Sequence, residues 1–94
     1  MSERPRYRVE LAPAAARQLD RLPPGDAARL RGPILELALD PWPRGVSKVS
    51  GSEFWRQRVG HLRIVYHVDE DIRRVVVLRV ARRSESTYRG LPGR

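Results

Sequence analysis

Residues 55–68 read WRQRVGHLRIVYHV. Two runs of strict alternation meet at Gly60-His61, and this junction constrains the fold more than any other stretch. A glycine at the first central position suits a two-residue type II′ turn between antiparallel strands. Such a turn fixes every partner across the hairpin. Val59 then faces Leu62, Gln57 faces Ile64, and Trp55 faces Tyr66. That side is mostly apolar and belongs against a core. On the other side Arg58 meets Arg63, and Arg56 meets Val65.

The remaining elements follow from period. Residues 6–11, RYRVEL, alternate and predict a half-buried strand with Tyr7, Val9 and Leu11 on one side and Arg6, Arg8 and Glu10 on the other. Pro13 suits the first turn of a helix, where its missing N–H costs nothing. Ala12, Ala15, Ala16, Leu19 and Leu22 recur at helical spacing, and LPPGD at 22–26 ends that helix. Pro24 opens a second helix with Asp26 in its first turn, and Ala27, Leu30, Ile34, Leu37 and Ala38 form its apolar face. Gly32-Pro33 is expected to kink or weaken it. DPWPRG at 40–45 is a turn-rich connection. After the hairpin, 69–73 is a polar link and RVVVLRVA, 74–81, a last strand. The order β-α-α-β-β-β implies an α+β fold: one twisted antiparallel sheet with two helices on one face. Residues 1–94 read as a single domain, without repeats.

Pairing the last strand so that Leu62, Ile64 and Tyr66 meet Val80, Leu78 and Val76 puts Arg79 opposite Arg63. Arg56, Arg58, Arg63 and Arg79 then converge on one sheet face, with Val65, Val75 and Val77 as apolar neighbours. Like charges directly opposed on a sheet destabilise it by roughly 0.2–1 kcal/mol per pair. These strands offer no carboxylate in compensation. The patch therefore reads as a site for an arriving anion, most simply a phosphate gripped by guanidinium. The apolar neighbours suggest that a protein partner also meets this face.

Charge agrees with that reading. The chain has 19 basic residues against 11 acidic ones, a net charge of +8, and Lys48 is its one lysine. Such an excess attracts nucleic acid or an acidic protein. The absence of cysteine removes disulfides and thiolate chemistry and suits a reducing cytoplasm. No apolar run is long enough for a membrane helix, and the charged start MSERPRYRVE is not expected to act as a secretory signal. Asp69, Glu70 and Asp71 offer too few converging oxygens for a metal site. No metal, other cofactor or membrane is therefore expected. His61 reads as a surface turn residue and His67 as structural or partner-facing, while Trp42 and Trp55 read as packing residues.

The string WRQRVGHLRIVYHVDED, followed by VVVLRVARRSESTYR, resembles the RelE/ParE toxins of bacterial toxin–antitoxin systems. The matching pieces are Arg56-x-Arg58-Val59-Gly60, Leu62-Arg63-Ile64-Val65-Tyr66, Val80 with Arg82-Arg83, and Tyr88-Arg89. Upstream, LDRLP (19–23) and LALDPWPRGVSKVSG (37–51) resemble that family's helix end and following loop. The likeness runs from Tyr7 to Arg89, and the family's fold has the element order derived above.

The resemblance implies a toxin that cleaves messenger RNA on the ribosome without a metal. The RNA 2′-hydroxyl would attack the adjacent phosphorus, leaving a 2′,3′-cyclic phosphate and a 5′-hydroxyl. By motif, Arg63 would clamp the phosphate. Arg83, or Arg82 in its place, would stabilise developing charge, and Tyr88 would stack on a base or move a proton. Arginine does not give up its proton in proteins, so Tyr88 is the better candidate base. Lys48, Arg56, Arg58 and Arg79 would bind RNA phosphates. Here the family's frequent histidine is Arg82, and the step from Arg83 to Tyr88 is one residue longer than in many members. The partners implied are an acidic RelB-like antitoxin and ribosome-bound message. The alternative on the same scaffold is a ParE-like inhibitor of DNA gyrase, which is not an enzyme.

Overall fold

A computed structural model of the chain describes residues 6–82. Its elements are β1 (Arg8–Leu11), α1 (Pro13–Arg21), α2 (Pro24–Glu36), β2 (Ser47–Lys48), β3 (Trp55–Val59), β4 (Leu62–Asp69) and β5 (Arg74–Arg82). Prolines begin both helices at positions whose N–H groups have no helical partner. Leu22 ends α1 because the following proline forces it out of the helical region, to ψ 150°. α2 runs on through Pro33 to Glu36. The proline removes one backbone bond, but Leu30, Ile34 and Leu37 anchor both halves of the segment in the core.

The strand order is β1-β5-β4-β3-β2, forming one five-stranded sheet. The domain is α+β, as the sequence implies, but the sheet is mixed. β1 pairs with β5 in parallel, whereas the other neighbours are antiparallel. The difference comes from β2. Two residues are too short to show a period, yet this strand adds one reversal of direction and so turns β5 into the same sense as β1.

The helices cover one face of the sheet. Leu30 and Leu37 from α2 and its end, Ala15 from α1, and Leu62, Ile64, Tyr66, Val75 and Val77 from the strands are all fully buried there. Each large aliphatic side chain so buried contributes about 1.5–3 kcal/mol. The Tyr66 hydroxyl donates to the Pro41 carbonyl from within this core. Burial, then the nearby Asp40 carboxylate, holds its phenol above the usual tyrosine range. Tyr66 therefore remains a proton donor to the backbone. Trp42 meets Tyr7 and Trp55 edge-on, each at 6.3 Å, which fits the packing role read for both tryptophans.

The last strand differs from its expected register. Ile64 pairs with Val80 and Val65 with Arg79, but Tyr66 then pairs with Val77. Leu78 is the extra residue of a β-bulge. It shifts the alternation so that Val75 and Val77 face the helices together with Val80. The expectation that Val75 and Val77 flank the arginines is thereby overturned. VVVLRV has apolar residues at both parities, so alternation alone could not locate the bulge.

Candidate nucleic-acid interface

The β3–β4 hairpin has the register set by its turn. Gly60 sits at φ 60° and His61 is not at positive φ, as a type II′ turn requires. Arg58 lies opposite Arg63, and Arg56 opposite Val65. Directly opposed side chains on a sheet have Cβ atoms about 4.5–5.5 Å apart. The observed register places Arg79 beside Val65 and Ala81 beside Arg63, two residues along from the expected pairing, so Arg79 is not the direct partner of Arg63. All four arginines nevertheless share the face away from the helices. They occupy two adjoining rows, Arg58–Arg63–Ala81 and Arg56–Val65–Arg79.

Val65 is completely buried, although it lies on this outer face. Val49 and Phe54, from the loop between β2 and β3, close over it together with Leu78. This small apolar cluster forms the floor beside the cations. His67 packs edge-on against Phe54 at 6.2 Å, in keeping with its structural reading.

Ser47, on edge strand β2, pairs with Arg56. Its hydroxyl accepts from Arg56 Nε at 3.2 Å and Nη2 at 3.0 Å, aligning that guanidinium on the face. Reading the sequence missed Ser47. The signal is its position one residue before Lys48 on a strand paired with β3, and that strand itself went unrecognised. Among the described residues, neither Arg58 nor Arg79 forms an ion pair with a carboxylate. The two rows and Ser47 contain guanidinium, hydroxyl and aliphatic groups, which can grip a phosphodiester bidentately. None of these accepts a proton at neutral pH.

Two residues assigned to the site lie elsewhere. Lys48 pairs with Trp55, which puts it on the helix side, with its ammonium 5.6 Å from the indole centroid. Arg82 pairs with Leu62 and also turns to the helix side, where Nη2 lies 3.8 Å from Asp26 Oδ2. His61, read as an ordinary turn residue, places Nε2 3.3 Å from Asp26 Oδ1. Arg83 and Tyr88 lie outside the described residues.

The other end of the same face has a different character. Glu10 and Arg74 form an ion pair at 3.5 Å, and Asp69 is the cross-strand partner of Arg74. The cationic character is thus concentrated toward the hairpin turn.

The fold agrees with that of known toxins. A family model described as the ParE toxin of type II toxin–antitoxin systems, parDE, matches residues 9–87. Among solved structures, a chain of the RelE–RelB complex of Pyrococcus horikoshii matches with a TM-score of 0.74 and 25% identity, covering 86% of this chain and 99% of that one. A chain of the RelBE2 toxin–antitoxin complex of Mycobacterium tuberculosis also reaches 0.74, at 29% identity, covering 84% and 99%. The isolated E. coli RelE toxin shares the fold, with a TM-score of 0.73 at 19% identity over 85% of this chain and 87% of that one. No curated protein matches the sequence. The class is therefore that of a small toxin with the RelE-like α+β fold. The chain belongs to the RelE/ParE family of toxins of type II toxin–antitoxin systems.

Proposed function

We propose that the protein is a ribosome-dependent endoribonuclease that cleaves messenger RNA without a metal. The observation that carries this reading is the direct opposition of Arg58 and Arg63, with Arg56 and Arg79 in the next row. A fold that keeps like charges opposed loses stability in the free state. Binding a polyanion offsets that cost, and the phosphodiester backbone of RNA is such a polyanion. The 2′-hydroxyl of one nucleotide attacks the adjoining phosphorus, and the bond to the 5′-oxygen breaks. Arg63 holds the phosphate while charge builds on its oxygens, and Arg83 adds a second guanidinium. Tyr88, as its phenolate, takes the proton from the 2′-hydroxyl, and solvent water protonates the departing 5′-oxygen. Arg56, Arg58 and Arg79 hold the flanking backbone. Lys48 and Arg82 have no part in this assignment, because each lies on the helix side.

The partner that silences the toxin is an acidic RelB-like antitoxin. The net charge of +8 and the RelB-bound state of the P. horikoshii and M. tuberculosis relatives support it. The site of action is the cytoplasm, where translating ribosomes are found. The test is cleavage of message on purified, programmed ribosomes. The expected products carry 2′,3′-cyclic phosphate ends, and a 2′-deoxy nucleotide at the cut site abolishes them. Arg63→Ala and Tyr88→Phe variants that cut as fast as the unmutated protein overturn the mechanism.

A second reading has one observation in its favour: the matching family model is described as that of ParE toxins. In that case the arginine face binds DNA gyrase and no bond is cut. Loss of gyrase supercoiling activity upon addition of the protein, with message left intact, decides for it.

A further inference from the structure

Asp26 lies in the first turn of α2 with its side chain only 13% exposed, and each of its carboxylate oxygens has a different partner. Oδ1 faces His61 Nε2 at 3.3 Å, and Oδ2 faces Arg82 Nη2 at 3.8 Å. These partners come from separate elements. His61 is the second residue of the β3–β4 turn, and Arg82 ends β5. One carboxylate of the helical layer thus ties together the hairpin tip and the end of the neighbouring strand. Either state of the imidazole serves: neutral, with the proton on Nε2, it donates, and protonated it adds charge.

The position of this tie matters. Arg63 is flanked across the sheet by Arg58 and Ala81; Ala81 adjoins the tied Arg82, and Arg63 itself lies two residues after the tied His61. Asp26 fastens this end of the sheet to α2 from behind and holds the Arg82 cation on the helix side.

We propose that Asp26 is a positioning residue for RNA cleavage: it clamps His61 and Arg82 to α2 and so fixes the row in which Arg63 holds the scissile phosphate. This rests on the ribonuclease reading above. Arg82 then acts only through Asp26 and does not touch RNA. Misplacing a catalytic group by about 1 Å can cost on the order of a hundredfold in rate, so loss of a clamp should appear in kcat and not in binding.

The experiment compares the full-length Asp26→Ala, Arg82→Ala and doubly substituted proteins with the unmutated one, using cleavage of ribosome-bound message and amide hydrogen exchange. Each single change should lower kcat about tenfold while KM moves less than about twofold. The double variant should be no slower than the slower single one, and Arg82→Lys should recover most of the rate. Exchange should quicken at Leu62, Arg63 and residues 80–82 but remain slow at Val75–Val77, which shows that the variant is folded. An unchanged kcat in Asp26→Ala overturns the proposal. So do losses that multiply in the double variant, because Arg82 would then act on RNA directly. If the unmutated protein cleaves no message, the ribonuclease reading fails. The exchange arm then judges the clamp alone, and unchanged exchange in Asp26→Ala overturns that as well.

Discussion

The outer face of the sheet has two ends that handle charge in opposite ways. At one end Arg8 and Asp69 flank Arg74 across the sheet and Glu10 pairs with it, so two acids answer two bases. At the other, Arg58 opposes Arg63, and Arg56 and Arg79 stand in the next row. Asp69 and Arg74 lie on the same strands, β4 and β5, as Arg63 and Arg79, so strand propensity does not explain the contrast. The paired end is what a solvated sheet surface ordinarily does with its charges. The cationic end instead sets like charges at directly opposed positions, a local departure of the kind found where function overrides folding.

The strongest test of this contrast is Arg63→Ala. It should reduce kcat/KM for ribosome-bound message by about a hundredfold or more, the scale of losing one electrostatic stabiliser of a reacting anion. The underside shared by the two ends is probed by alkali. Tyr66 binds its proton more tightly folded than unfolded, because burial raises its phenol. The contribution of that proton is therefore intact below about pH 10, the unfolded value, and is lost as pH rises above it. Chemical denaturation should show stability falling by on the order of 2 kcal/mol by pH 12, a slope that Tyr66→Phe removes.

Smaller effects separate the two ends more finely. Gly60→Ala should cost about 1 kcal/mol in denaturant melts, from the positive φ of the turn and not from crowding, since an added Cβ meets nothing within 4 Å. Arg58→Glu should move stability and binding in opposite directions. Replacing a like-charge pair with an attractive one should stabilise the fold by about 0.5–1 kcal/mol. The same change should weaken oligoribonucleotide binding and flatten its salt dependence, measured by titration at several ionic strengths. Glu10→Gln, at the paired end, should change stability by less than about 0.5 kcal/mol, because both partners are well exposed, and should leave cleavage unchanged. Equal losses of cleavage from Glu10→Gln and Arg58→Glu would erase the distinction between the two ends.

Much of this was legible in the sequence where a local signal fixed a long-range consequence. Gly60-His61 set the whole β3–β4 register, and with it the opposition of Arg58 and Arg63. Pro13, Leu22-Pro23-Pro24 and the apolar spacing set both helices. What escaped had no local signal. β2 is two residues long, so neither the parallel pairing of β1 with β5, nor the Ser47 hydroxyl on Arg56, nor the inward side of Lys48 could be read. The valines of β5 occupy both parities, which concealed the bulge and the register, and with them the true neighbours of Arg79 and Arg82. The tie from Asp26 to His61 and Arg82 depends on how a helix lies over the sheet, which no single-strand period contains.

The bulge at Leu78 has a consequence for kinship between chains of this fold. A related strand built without that surplus residue would deliver its side chains to the same two faces one position sooner. Equivalence for Arg79 or Arg82 is therefore decided by which residue of β4 each one neighbours. Counting along the chain would match an arginine of the outer surface in one protein with an arginine turned toward the helices in another.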